Sequence, residues 1–244
     1  MVVVFTLGVF LTRSAGCAIN DFADYKFDAQ VARTKARPLA AGHISRKQAL
    51  MVTAVLSLAA FGLALEFLQL RTLLWSVPAL GLFISYPFMK RFFPLPQLYL
   101  GIAFSFGILM AFIEAQGSIT LGGWLIFLAN LSWVLAYDTI YALVDLEDDL
   151  VIGIKTSAIT FGRYVTSAIM LAYGIFLLLL VIVGLCEEFK WVYYLSLILA
   201  GGMMVYVRQL IKTKNRDNYF HAFLFNNYIG LAVMIGIILS YQLT

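Results

Sequence analysis

Eight apolar runs constrain this chain more than any other feature: roughly 1–18, 50–66, 72–89, 96–113, 122–143, 165–185, 190–207 and 222–243. A helix that crosses a bilayer needs about 20 mostly apolar residues, and these runs fill most of the 244-residue chain. Pro78 and Pro87 fall inside one run; membrane helices tolerate proline because neighbouring helices re-satisfy the backbone. The runs are continuous, whereas a membrane β-barrel reads as short segments of alternating hydrophobicity. Only 12% of the residues are charged, against roughly 25% in an average soluble domain. That is too few to coat a soluble globule, to keep a chain disordered or to build a nucleic-acid-binding surface. Two cysteines exclude a disulfide scaffold and a multi-cysteine zinc site. With no repeat and no internal linker, residues 1–244 are predicted to form a single all-α, polytopic membrane bundle of about eight transmembrane helices. Gly101 with Ser105, and Gly230 near Ala232, offer small-residue spacings for close helix packing.

Basic residues give the topology. When the gaps between runs are sorted by alternate side, 14 Lys and Arg fall on one side and only Arg71 and Lys190 on the other. Cytoplasmic loops carry the excess of Lys and Arg, so the basic side is predicted to be cytoplasmic and both termini to lie outside. The first run has no basic leader, and it is read as a helix of the bundle rather than a signal peptide.

Eight of the thirteen acids lie in two short windows on that basic side. The first, residues 20–28, follows the first run. The second, residues 137–149, follows the fifth. Asn20, Asp24 and Asp28 recur every four residues and would line one helix face, with Arg13 seven residues earlier on roughly the same face. Asp138, Tyr141, Asp145 and Asp149 also follow helical spacing. Stacked carboxylates repel one another unless a cation neutralises them. Oxygen-only donors without His or Cys suit a hard ion such as Mg²⁺, which completes its shell with water and substrate phosphate. Two facing acidic windows would cage a metal-bridged diphosphate. A lone acidic pair at a helix end is more simply a solvated one, and Asp21 and Glu147 fall off the main faces. Acids within apolar spans, however, are expensive and default to function.

Cations flank both windows: Arg33, Lys35 and Arg37 after the first, Lys90 and Arg91 closing the third run, and Lys155 after the second window. Topology alone accounts for a cytoplasmic cation; the functional alternative is an anion clamp on a diphosphate or carboxylate. Arg208, Lys212, Lys214 and Arg216 form a looser run that reads as a lipid-headgroup contact. His43 and His221 stand near no motif, and Cys17 and Cys186 read as buried thiols.

The motif Asn20-Asp21-x-x-Asp24-x-x-x-Asp28, paired with Asp145-x-x-x-Asp149 downstream of Tyr137-Asp138-x-x-Tyr141, resembles the UbiA superfamily of intramembrane prenyltransferases. The stretches 37–42, 86–91, 137–142, 153–158 and 226–231 look like those of its bacterial 4-hydroxybenzoate polyprenyltransferases. That resemblance implies a bundle of nine spans, the first of which has no counterpart among the eight runs here. It implies Mg²⁺ held by Asn20, Asp24, Asp28, Asp145 and Asp149 on a polyprenyl diphosphate. It implies transfer of the prenyl group to the ring carbon ortho to the hydroxyl of 4-hydroxybenzoate, a step of ubiquinone biosynthesis in the bacterial inner membrane, with the site facing the cytoplasm. Asp24, Asp28, Asp145, Asp149 and Arg91 would then be catalytic. Asn20, Lys90, Asp138, Tyr141 and Lys155 would bind substrate, with Tyr141 lining the developing cation and Arg91 or Lys90 taking the acceptor carboxylate or the diphosphate. Membrane lipid is the expected surrounding, with no nucleic acid and no identifiable protein partner. A relative using another aromatic acceptor, an inactive truncated relative and a transporter are the alternatives; acids gathered at one face, without repeats, argue against the last.

Overall fold

A computed structural model describes residues 1–29 and 34–243. Eight of its helices are long and apolar enough to cross a membrane. They are α1 (Val2–Asp28), α2 (Arg46–Phe67), α3 (Leu70–Met89), α4 (Pro96–Gln116), α5 (Leu121–Val144), α8 (Val165–Cys186), α9 (Trp191–Lys212) and α10 (Arg216–Gln242). Two short helices, α6 (Leu146–Ile152) and α7 (Ser157–Phe161), with a 3-10 turn at Gly162–Tyr164, connect α5 to α8. Among the described residues there is no strand. The chain is an integral, multi-pass, all-helical membrane protein.

The helices outrun the apolar runs. The first run fades near residue 18, yet α1 continues to Asp28, so the first acidic window is the end of a helix rather than a segment beyond it. Nothing between Asn20 and Asp28 breaks a helix; hydropathy marks the bilayer, not the helix end. Likewise α10 starts at Arg216, six residues before its apolar run, because Asn215 caps it by accepting from the Asp217 and Asn218 backbone N–H groups. A Ser45–Gln48 capping box starts α2 and Thr120 caps α5. Gly117 ends α4 and Gly153 ends α6, both at positive φ, where a side chain would be strained.

Successive spans cross the bilayer in alternating directions. The ends of α1, α3, α5 and α9 and the starts of α2, α4, α8 and α10 therefore share one end of the bundle, which carries both acidic windows. Helix α5 is the axis, packed against α4, α8 and α10. Helix α2 is the opposite case: it rests on α1 and buries only Ala49, leaving the rest of its surface for lipid. Gly101 lets α4 approach the Leu131 carbonyl of α5, and Ser105 beside it accepts from Asn130 Nδ2 at 2.9 Å. Gly230 leaves room for the Trp133 ring. Asn226 Oδ1 accepts from Tyr173 Oη at 2.7 Å and Trp133 Nε1 at 3.1 Å, tying α10 to α8 and α5. The cysteines correct the sequence reading: Cys17 and Cys186 are both exposed. Their helices turn those positions outward, and a thiol is apolar enough to face lipid.

Candidate active site

The last two to three turns of α1 present the first window. Asp24 and Asp28 are buried and Asn20 is half-buried, stacked on one face as the four-residue spacing requires. Buried carboxylates need partners. Arg37, returning from the α1–α2 connection, donates through one nitrogen, Nη1, to Asp21 Oδ1 at 2.8 Å and Asp28 Oδ2 at 3.1 Å. Asp21, which falls off the main face by its spacing, joins the cluster through Arg37. The Thr34 hydroxyl donates to the Asp28 backbone carbonyl at 3.0 Å and fixes the chain beyond the helix end. Arg33 lies outside the described residues.

Helix α3 brings the next cation. Lys90 Nζ lies 3.0 Å from Asp24 Oδ2. Gly16 makes this approach practicable, because a side chain there would strike the Phe83 ring of α3. Lys90 stands just beyond the spanning segment of α3. Burial works against its charge, but Tyr86, Asp24 and Asp138 around it outweigh burial and hold its pKa above the ordinary lysine value. Asp24 comes from the first window, and Asp138 of the second window adds to the field at Lys90.

The second window departs from its sequence reading. Residues 138–149 do not form one helix: α5 ends at Val144, Asp145 is the joint with φ −105° and ψ 10°, and α6 starts at Leu146. Asp138 and Tyr141 stand on α5, Asp145 at the joint and a buried Asp149 on α6. The physical reason is the short, acid-led α6, which turns away from α5 and is stopped by Gly153. Arg216, at the start of α10, donates through Nη2 to Asp145 Oδ1 and Asp148 Oδ2, both at 3.1 Å. Sequence reasoning gave Arg216 to lipid headgroups. The missed signal was topological: α10 begins at the acidic end, directly after its Asn215 cap.

Arg91 and Lys155 are fastened to backbone. Arg91 Nη2 donates to the Ala23 carbonyl at 3.0 Å and its guanidinium lies over the Phe27 and Phe88 rings. Lys155 Nζ donates to the Phe92 carbonyl at 2.9 Å and its backbone N–H to the Lys90 carbonyl at 2.8 Å, joining the loop after α6 to the loop after α3. Arg13 lies over the Phe104 ring of α4. From the acidic end an aromatic row runs into the bundle. Tyr141 packs on Phe223 at 4.6 Å between ring centres, Phe223 on Tyr137 at 6.1 Å, and Tyr137 on Trp133 at 5.4 Å.

Among the described residues no three His, Cys, Asp or Glu side chains converge as a ready-made metal cage. The donor set still suits Mg²⁺, which takes one or two carboxylates and leaves the rest of its shell to phosphate and water. The carboxylates here are all-oxygen donors, buried or half-buried, and several are already counter-charged by cations.

Helical spans, two acidic windows at one end and a half-buried cation against the first of them define an intramembrane site for a polyanionic substrate. The UbiA prenyltransferase family model matches residues 1–229, and the chain belongs to that family. It is 54% identical over 240 residues, 98% of this chain and 84% of its relative, to a 4-hydroxybenzoate octaprenyltransferase of Nitrosomonas eutropha. Among solved structures it is similar to the apo form of a UbiA homologue from Aeropyrum pernix (TM-score 0.83, 26% identity), over 98% of this chain and 89% of that one. A UbiA homologue from Archaeoglobus fulgidus bound to GPP and Mg²⁺ shares the fold (TM-score 0.68, 16% identity), over 95% of this chain and 87% of that one.

Proposed function

We propose that this chain transfers a polyprenyl group from its diphosphate to the ring carbon ortho to the hydroxyl of 4-hydroxybenzoate, a membrane step of ubiquinone biosynthesis. Support comes from family membership, from the activity named for relatives about half identical over nearly the whole chain, and from one observation above all: each acidic window is met by a cation from a distant part of the chain, Asp24 by Lys90 at 3.0 Å and Asp145 by Arg216 at 3.1 Å. The basic-residue split supports an inner-membrane protein with this end toward the cytoplasm.

In this reading the acceptor ring carbon attacks C1 of the donor. The allylic C–O bond breaks, diphosphate leaves with the bonding pair, and the ring then loses its proton. Asn20, Asp24 and Asp28 on one side, and Asp145 and Asp149 on the other, would hold Mg²⁺. When bound, Mg²⁺ supplies positive charge to the departing diphosphate. Lys90 and Arg37 add fixed positive charge beside it, where low dielectric strengthens their pull. The faces of Tyr141 and Phe223 stabilise the positive charge that develops on C1. The aromatic row behind them keeps water from quenching it and offers an apolar bed to the first isoprene units. Arg91 and Lys155, held on backbone carbonyls, shape the mouth of the site and keep charge there for the acceptor carboxylate.

The test is a membrane assay with labelled 4-hydroxybenzoate and octaprenyl diphosphate. Label entering the lipid fraction with Mg²⁺ and not with EDTA is the expected result. No label, with the protein present in the membrane, would reject this acceptor.

A further inference from the structure

The two acidic windows are counter-charged in the same way. In each, one guanidinium nitrogen is shared by two carboxylates: Arg37 Nη1 by Asp21 and Asp28, and Arg216 Nη2 by Asp145 and Asp148. Arg37 reaches its pair from the loop that follows the same helix. Arg216 reaches across from another helix, 71 residues along the chain from Asp145. It is also the more open of the two, with 45% of its side chain exposed, so it can move without unpacking the bundle. Nη2 alone makes both contacts, and a guanidinium carries five N–H donors in a planar fork.

A guanidinium and a divalent ion compete for the same Asp145 oxygen, because like charges held at close range repel. A diphosphate arriving with the metal brings new oxygens within reach of a released fork, and arginine binds such oxygens bidentately. From this geometry we infer that Arg216 is an exchangeable counter-ion of the second window. It neutralises Asp145 and Asp148 until a metal–diphosphate arrives, yields Asp145 to the metal, and turns to a diphosphate oxygen. The inference rests on the metal–diphosphate reading above and adds to it a positioning residue that no sequence motif marks.

Two binding measurements on the purified full chain test it, with Mn²⁺ alone as one probe and farnesyl thiodiphosphate with Mg²⁺ as the other. Arg216→Gln removes the competitor, so Mn²⁺ should bind about three- to tenfold tighter. The same variant lacks the freed fork, so the thiodiphosphate should bind about tenfold more weakly. Arg216→Lys should fall between the parent and Arg216→Gln on both scales. Lys212→Gln removes one exposed cation from the same end of the bundle and should change neither. Unchanged Mn²⁺ affinity in Arg216→Gln, or an equal gain in Lys212→Gln, overturns the exchange and leaves a surface ion pair. Weaker Mn²⁺ binding with a lower melting temperature also overturns it, making Arg216 a strut for α6. A parent chain that binds neither probe overturns the metal–diphosphate reading itself, and the exchange with it.

Discussion

The two acidic windows look alike in sequence and are built differently. The first lies on an unbroken helix, so its four-residue spacing becomes a vertical stack on one face of α1. The second is bent at Asp145, and its acids are divided between α5, a joint and α6. Spacing carries positional information only while the helix continues. A stack on a rigid helix fixes where its carboxylates stand. A bent window lets carboxylates approach from another direction but needs outside support, which Arg216 supplies from α10. In the proposed function, these two windows of different construction close on one ligand from two sides.

The sharpest way to break that comparison is to silence each window separately. Asp24→Asn and Asp145→Asn should each lower transfer to labelled 4-hydroxybenzoate by about 10²- to 10³-fold, the loss expected for a preorganised charge at a developing transition state. A large loss from only one window would mean that they do not serve one site. Next comes the cation beside Asp24. Lys90→Met leaves Asp24 buried beside an apolar chain, and melting of the purified protein should reveal a loss of about 3 kcal/mol. Because the Lys90 pKa is raised in the folded state, its contribution is fully present below the ordinary lysine value. The melting difference between parent and variant should stay level from neutrality to about pH 10 and shrink only as pH rises further.

A smaller effect separates the halves of the bundle. Asn226→Leu strands Trp133 Nε1 and Tyr173 Oη and should cost about 1–2 kcal/mol. Hydrogen exchange should rise in α8 and α10, which brace the second window, and stay unchanged in α1 and α3. The smallest effect is expected of Glu147, which is exposed at the start of α6. Glu147→Gln should alter transfer by less than about twofold, and a tenfold loss there would give the bent window a ligand it is not assigned.

Much of the fold was legible because a bilayer enforces a simple code. Eight apolar runs became eight spanning helices, and the first window became a stacked face because nothing interrupts α1. Three things were not legible, each for a physical reason. The break at Asp145 has no proline or glycine to announce it. Arg216 sits in a run of exposed cations that looks like a membrane-surface contact. Lys155 and Arg91 also bind backbone carbonyls, acceptors that a side-chain pattern does not display.

By itself, then, the sequence determined an all-helical membrane protein, its eight spans and one end crowded with charge of both signs. Hydrophobic length and the distribution of Lys and Arg act locally, residue by residue, so they survive in one dimension. Which cation neutralises which carboxylate was decided only by the tertiary structure. The Lys90–Asp24 and Arg216–Asp145 pairs join residues 66 and 71 positions apart, and their distances depend on how α3 and α10 pack against the rest of the bundle.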